Sequence, residues 1–555
     1  MQYLAEFLLK AEPQEMLVIR DALLDHKEIL LEQLWAKLEN PQHDQGQRFR
    51  AACALADYSP DDSRWEKVAT DVAEWLCIQK TFEIAQWTDA FQGVGRWLIT
   101  PLADFLDDDD RVLSERGLVA KVYNQFAARI PEAYDRLEEL LVKESEPFSS
   151  LDARIAVAKQ KASVGGGLLV MGYSRNVWPL MEHNPDPTLR SFLIERLKPM
   201  GVDPNVLMAR LHEEQAVSVK RAILMSLGEY GLDNSSVDLR LKMLPQLLNS
   251  YRDDPDPGIH GITEWLLRSW QASNEMHAID RQLATVNMKG KRQWHLNKQG
   301  QTMVVVPKPG EFWIGKGRKR QQVLIDRSFA IASKEVTVDQ FLRFRNEYEY
   351  SEESSPTGDC PINSVSWYEA AAYCNWLSEQ EGIPNDQWCY EPNADGYYLV
   401  GMTMPADSLQ RTGYRLPTIA EWEYACRAGA ATVYSIGVTA ELLGKYGWFA
   451  ENSLNTTHPA GSLKANDLGL FDMYGNTSEW CQDYIDLDFP FADNRELEEF
   501  PLRVLCGGSF KSKSLHSADR DSADLNSGSV VHGFRLARTL PPVPRASEGV
   551  EKTDK

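Results

Sequence analysis

The apolar residues of this chain change their period once, near residue 290, and that change imposes two different architectures on one polypeptide. Up to about Trp270 they recur at helical spacing, as in Leu17, Ile19, Leu23 and Leu24 and then Leu30, Leu31, Leu34 and Leu38. Each segment therefore has one apolar face to bury. Beyond it, Met303-Val-Val-Val-Pro, Glu311-Phe-Trp-Ile-Gly and Gln322-Val-Leu-Ile-Asp are short β-branched and aromatic runs cut by Pro and Gly, the signature of strands. At roughly 100–200 residues per domain, 555 residues hold at least two domains.

The breaks in the helical half share a chemistry. Asp107-Asp-Asp-Asp-Arg, Asn184-Pro-Asp-Pro-Thr, Glu213-Glu-Gln-Ala-Val and Asp253-Asp-Pro-Asp-Pro are acidic or Pro-containing turns that open helices. Carboxylates suit that place because they accept orphan N–H groups and complement the helix dipole. Their recurrence points to stacked helix pairs, and the Asp-Pro-x-x-Arg turn resembles the inter-helix turn of HEAT repeats; an irregular helical domain is the alternative. Gly165-Gly-Gly-Leu-Leu-Val-Met-Gly lacks the Gly-Lys-Ser/Thr of a phosphate loop and reads as a connector. Asp107 to Asp110 reads as a solvated turn.

A formal charge of −22 excludes a general phosphate-binding surface, since nucleic-acid affinity comes mostly from Lys and Arg neutralising phosphates. The eight cysteines are widely spaced, with no C-x-x-C pair, so the spacing writes neither a zinc site nor a disulfide framework. The Met1-Gln-Tyr-Leu start carries no leader pattern and no apolar run reaches membrane length. The expectation is a cytoplasmic protein without nucleic-acid or membrane partners.

In the strand-rich half, capping boxes open three helices, at Thr337 with Gln340, Ser366 with Glu369 and Thr418 with Glu421. Lys316-Gly-Arg-Lys-Arg reads as an exposed hairpin loop. The densest segment is Leu468-Gly-Leu-Phe-Asp-Met-Tyr-Gly-Asn-Thr-Ser-Glu-Trp-Cys-Gln-Asp, with the turn Gly475-Asn476, the carboxylates Asp472 and Glu479, and the anchors Leu470, Phe471, Met473 and Trp480. Such a segment reads as a rigid, buried loop. Its acceptors allow two readings: a shell for a hard cation such as calcium, or a tight turn whose carboxylates cap backbone N–H groups. After the Gly507-Gly-Ser-Phe510 strand, Lys511 to His532 reads as a long polar loop leading to a returning core strand at Phe534. Pro541 to Lys555 reads as a disordered tail.

Seven segments in fixed order resemble the formylglycine-generating (sulfatase-modifying factor) family: Gln299-Gly-Gln-Thr-Met-Val-Val-Val-Pro with Phe312-Trp-Ile-Gly, Glu335-Val-Thr-Val-Asp-Gln-Phe, Pro361-Ile-Asn-Ser-Val-Ser-Trp, Gly413-Tyr-Arg-Leu-Pro-Thr, the Gly475-Asn motif, Arg503-Val-Leu-Cys-Gly-Gly-Ser-Phe and Gly533-Phe-Arg-Leu-Ala-Arg. The resemblance implies a multidomain chain: an all-α HEAT-like array over 1–272, a linker over 273–294, an α+β C-type-lectin-like domain over 295–540, and a tail over 541–555. It implies structural calcium at Asp472, Gly475, Thr477 and Glu479, with Asn452 from a second site. The family's oxidases bind copper through two cysteines; by register Ser512 and Ser517 stand there, and a hydroxyl cannot replace a thiolate for copper(I), so no copper is expected. The iron-dependent relatives use H-x-x-x-H-x-E, which this chain lacks. The resemblance thus implies a non-catalytic interaction or regulatory protein of a bacterial signalling or defence system, with a protease, kinase or other signalling protein as partner. Its binding surface is expected at Lys511, Lys513, His516 and Arg520. A metal-dependent oxidase with a rearranged site and a lectin-like receptor for a small ligand or peptide are the alternatives.

Overall fold

The computed structural model describes residues 2–80, 82–130, 132–142, 150–231, 237–284, 291–317, 320–484 and 502–541. The expected tail beyond Pro541 lies outside them. The chain forms two compact units, Met1–Glu182 with Leu189–Glu213, and His183–Thr188 with Glu214–Lys555. Among the described residues no helix is long and apolar enough to cross a membrane.

The first unit is built of helices, and aromatic side chains join neighbours, Trp35 edge-on to Trp65 and Phe49 to Trp87. Gly165–Gly167 is no connector: it lies inside the helix Leu151–Val170, buried, and a Cβ on Gly166 would come within 2.6 Å of the Met200 sulfur. A side chain at Gly166 would have to displace the Met200 thioether, whereas Gly165 and Gly167 sit at ordinary contact distance from Leu193 and Leu106. The acidic turn after Asp107 is also more than solvated, since Asp109 accepts from Nη2 of the buried Arg116 at 3.0 Å.

The second unit contains three sheets. Strands β1 (Trp294–Leu296), β2 (Thr302–Val306), β5 (Phe329–Ala332), β11 (Ala537–Thr539) and β6 (Tyr414–Arg415) form one in the order β1-β2-β5-β11-β6, antiparallel throughout. A second runs β10 (His532–Gly533), β7 (Ser478–Tyr484), β8 (Leu502–Cys506), β9 (Arg520–Asp524), with β10 parallel to β7. β3 (Gly310–Ile314) and β4 (Gln321–Ile325) make a separate hairpin. All three capping boxes form as their sequences require, at the helices Val338–Leu342, Trp367–Gln380 and Ile419–Arg427. Two expectations are corrected. The Gly507–Phe510 segment is a bend after β8, because Gly507 and Gly508 take φ of +86° and +67°, which no strand accommodates. The Lys511–His532 stretch is not one loop, since β9 within it pairs along β8.

The four helices Val217–Tyr230, Val237–Asp253, Pro257–Ser269 and Ser273–Leu283 belong to this second unit. The compact division therefore falls at Glu213/Glu214, inside the stretch expected to be one helical domain, and residues 273–283 of the expected linker are helix. The reason is close backbone contact. A Cβ on Gly261 would lie 2.6 Å from the Gly469 Cα, and one on Gly258 would lie 2.3 Å from the Asp467 carbonyl oxygen. Arg221 clamps the joint, donating from Nε to Asp256 at 2.9 Å and reaching Asp467 at 3.6 Å. Lys464, buried, pairs with Glu229 at 2.7 Å. His260 is stacked between Tyr251 and Trp294, with ring centroids 4.4 and 3.5 Å away. Its Nδ1 must carry the proton, because it lies 2.8 Å from the Tyr251 carbonyl, which only accepts.

Two predictions follow from this packing. Gly261→Ala forces a methyl into the Gly469 backbone, and urea melts should show a loss of about 1–3 kcal/mol, the usual cost of overpacking. Burial pushes the His260 imidazole down to about 4 from 6.5. The unfolded chain therefore takes up the proton first, and stability is complete above pH 6.5 and falls as pH drops toward 4. At about 1.4 kcal/mol per pH unit the loss amounts to about 3 kcal/mol. The stability–pH curve of His260→Gln should be flatter than wild type across that window; parallel curves would refute the assignment.

Candidate functional site

The Leu468–Asp483 segment is a buried loop that becomes β7, as its density of anchors requires. Asp472, Gly475 and Asn476 take φ of +55°, +89° and +56°. These left-handed residues are held by backbone bonds: Gly475 N donates to Gly507 O at 2.9 Å, Asn476 N to Trp448 O at 2.7 Å, and Phe510 N to Asn476 O at 3.0 Å. The turn is thus stitched to the Gly507–Phe510 bend.

Glu479, fully buried on β7, faces Arg535, equally buried between β10 and β11. Arg535 Nη2 donates to Oε1 at 2.6 Å and Nε to Oε2, which also accepts from Trp422 Nε1 at 2.7 Å. The remaining guanidinium N–H groups go to the carbonyls of Ala332, Ser333 and Phe471 at 3.2, 3.3 and 3.0 Å. Asp472 accepts from Gly461 N at 2.7 Å through Oδ2, while its Oδ1 is buried with no hydrogen-bond partner. Burial, against the pull of the Gly461 N–H and Arg535, lifts the Asp472 carboxyl to about 6. Glu335 is buried with both oxygens unpartnered, and burial together with the Asp472 charge lifts its carboxyl well above the usual range.

This geometry bears on calcium. Asp472, Gly475, Thr477 and Glu479 do share one loop and strand, and the Thr477 hydroxyl is also unpartnered. Glu479, however, is already engaged on both oxygens by a guanidinium, and a calcium ion bound there would sit against that positive charge. Asn452 belongs elsewhere: its Oδ1 accepts from Phe449 N at 2.8 Å and its Nδ2 donates to Gly447 O at 2.9 Å, closing its own loop. The residues present do not fit calcium on Glu479 while Arg535 holds it. Millimolar calcium should therefore leave the melting temperature unchanged, whereas Glu479→Gln should cost about 3–5 kcal/mol with or without calcium by stranding a buried Arg535. A calcium-dependent rise that Glu479→Gln removes would reverse this conclusion.

Ser512 and Ser517, expected at the register of the oxidases' cysteines, both have hydroxyls bonded within the scaffold. Ser517 is buried, donates to Val433 O at 2.9 Å and lies 2.8 Å from the Tyr474 hydroxyl. Ser512 Oγ accepts from Ser509 N at 2.9 Å. All eight cysteines are buried and unpaired by disulfides. Cys481 and Cys506 lie with sulfurs 3.5 Å apart on β7 and β8, and burial raises the Cys481 thiol well above its usual value and the Cys426 thiol to about 12.

The four residues expected to bind a partner divide into two kinds. Lys511 and Lys513 are exposed. His516 lies 3.1 Å from Asp519 and stacks on Tyr434, and Arg520 donates to the buried Glu423 at 2.7 Å. His516 also lines a cleft of about 240 Å³ with Lys316, Arg320, Arg427 and Val433. Lys316 and Arg320 were not among the expected site residues. The signal was present, however, in Lys316-Gly-Arg-Lys-Arg, a basic run in a strongly acidic chain.

The capped helices, the sheets and the buried glutamate–arginine pair define a C-type-lectin-like domain of the formylglycine-generating type. Residues 291–540 match the sequence model of the sulfatase-modifying factor enzyme 1-like domain. Its relatives include the chaperone protein LppX of Paenibacillus barcinonensis, 29% identical over 265 residues that span 42% of this chain and 89% of that one. The formylglycine-generating enzyme of Streptomyces coelicolor is 29% identical over 32% of this chain and 52% of its own length. The serine/threonine-protein kinase pkn1 of Chlamydia pneumoniae is 29% identical over 32% of this chain, and the match spans 24% of the kinase. Among solved structures, Treponema denticola variable protein 1 is 27% identical over 43% of this chain and 95% of its own, with a TM-score of 0.38.

Proposed function

We propose that the chain is a non-catalytic interaction protein of a bacterial signalling or defence system, acting in the cytoplasm and recognising a protein partner. The observation that carries this reading is the fate of Ser512 and Ser517. Copper(I) chemistry needs a pair of thiolates, and both positions hold hydroxyls engaged in the fold. The nearest thiols do not substitute, because a thiolate is the ligand and the nucleophile, and burial disfavours that form at Cys426 and Cys481. Relatives named as a chaperone and as kinases are in keeping with a recognition role for the domain. The recognition surface we assign is the cleft of Lys316, Arg320 and His516 with the exposed Lys511 and Lys513 beside it. A positive patch on an acidic chain suits an acidic partner segment, because complementary potentials steer encounter and fix register.

Two measurements test this together. The purified chain, incubated with a Cys-x-Pro-x-Arg peptide with and without copper, should yield no formylglycine; copper-dependent turnover above a no-protein control would overturn the reading in favour of an oxidase. In capture experiments with neighbouring gene products, the variant with Lys316, Arg320, Lys511 and Lys513 changed to Glu should melt like wild type yet bind its partner at least about tenfold more weakly, the effect of reversing several interfacial charges. Unchanged capture by that variant would remove the cleft from the binding surface.

A further inference from the structure

A second cavity, of about 370 Å³, lies within the second unit, between the helices Pro257–Ser269 and Ser273–Leu283 and the end of β5. It falls at the small end of the roughly 300–1,000 Å³ typical of small-molecule sites. The helical wall contributes Glu264, Arg268 and Asp280, and the sheet wall contributes Ser333, Lys334 and Glu335. These helices lie outside residues 291–540, which match the family model.

Its hydrogen-bonding account is unbalanced in one direction. Lys334 and Arg268 both pair with the same oxygen of Glu264, Oε1, leaving Oε2 buried without a partner. Neither oxygen of Glu335 has a partner, although the residue is only 2% exposed, and the Ser333 hydroxyl is likewise unpartnered. What the cavity presents unsatisfied is therefore acceptors. The charge is unbalanced in the same sense. Behind the cavity Glu335, Asp472 and Glu479 share Arg535, with Lys334 also acting on Asp472. The lining itself carries the carboxyls of Glu264, Asp280, Glu335, Asp339 and Asp359 against the cations Arg268, Arg281, Lys334 and Arg343. An unpaired buried carboxyl is driven toward its neutral form, and a cation brought by a ligand would stabilise the carboxylate at Glu335.

We propose that this cavity binds a guanidinium group, seated against Glu335 with Ser333 accepting a further N–H. Both Glu335 oxygens are buried without a hydrogen-bond partner, and a two-point acceptor suits the parallel geometry of a guanidinium better than the single point of an ammonium. Arg281 and Arg343, exposed on the lining, offer donors for a carboxylate at the other end of an arginine molecule. The guanidinium has two sources, a free small molecule such as arginine or agmatine, and an arginine side chain of a protein partner.

Isothermal titration of the full-length chain decides the matter. Arginine or agmatine should give saturable heat, and citrulline, the same shape with a neutral ureido group, should bind at least about tenfold more weakly, as loss of a charge-assisted pair requires. Glu335→Gln should weaken arginine to the same degree, with its folding checked by thermal melting. If that variant does not fold, the arginine–citrulline contrast on the wild-type chain decides alone. A doubly blocked arginyl peptide binding more tightly than arginine assigns the group to a protein side chain, and the reverse order assigns it to a metabolite. No saturable binding of any guanidinium, or equal binding of citrulline, overturns the proposal.

Discussion

Everything in the lectin-like domain is arranged around one buried ion pair, Glu479 with Arg535. Neither residue is exposed to solvent, and the guanidinium spends every N–H it has on the carboxylate and on carbonyls from β5, the residue after it and the 468–483 loop. Trp422 adds a third donor to Glu479 from the Ile419–Arg427 helix. Five stretches of chain thus meet at two side chains. A buried pair of this kind contributes little net stability compared with a well-packed apolar pair, yet either half alone is strongly destabilising. Its consequence is specificity of arrangement: the helix, the loop and the strands fit only in the register that satisfies both charges. Arg415 and Glu421, the residue before Trp422, repeat the device, with Nη1 to Oε2 at 2.6 Å, and there burial's upward push is overcome by Arg415, which holds the glutamate at about 2.

A different constraint joins the helices 217–283 to this domain. Ion pairs tolerate adjustment of a few tenths of an ångström, but backbone against backbone does not, and Gly258 and Gly261 meet the Asp467–Gly469 backbone with no space for a single methyl on either glycine. The loop that carries Asp472 is therefore held on one side by Arg535 and on the other by the Pro257 helix. The helices Pro257–Ser269 and Ser273–Leu283 also line the cavity at Glu335, so the unpartnered carboxyl lies where these helices meet the domain of residues 291–540.

What the sequence made legible follows from the range of each interaction. Capping boxes act over three residues, and all three were readable from Ser, Thr, Glu and Gln alone. The Gly475-Asn476 turn was equally local. The division at Glu213 was not, because its cause is the meeting of Gly261 with Gly469, more than two hundred residues away, and nothing near Gly261 distinguishes a glycine that admits a backbone from one that merely ends a helix. The same holds for Gly166, which meets the Met200 side chain. β9 was missed because its residues, Arg520-Asp-Ser-Ala-Asp, have no strand propensity; pairing with the apolar β8 supplies what composition does not. At the site, the motif gave the identity of Glu479 and Asp472 but not their occupancy: that Glu479 belongs to Arg535 depends on a side chain arriving from the far end of the domain.

The main restraints of the domain do not run through the serines of the 509–517 segment. The ion pair, the capped helices and the stitched Gly475 turn are made by other groups. The serines add their own bonds to that frame, Ser517 to Val433 and Tyr474 and Ser512 to the Ser509 amide. The exposed Lys511 and Lys513, and His516 on Tyr434, are carried on a segment tied at these points, and under the proposed reading such a frame suits recognition because a held loop loses less freedom on binding.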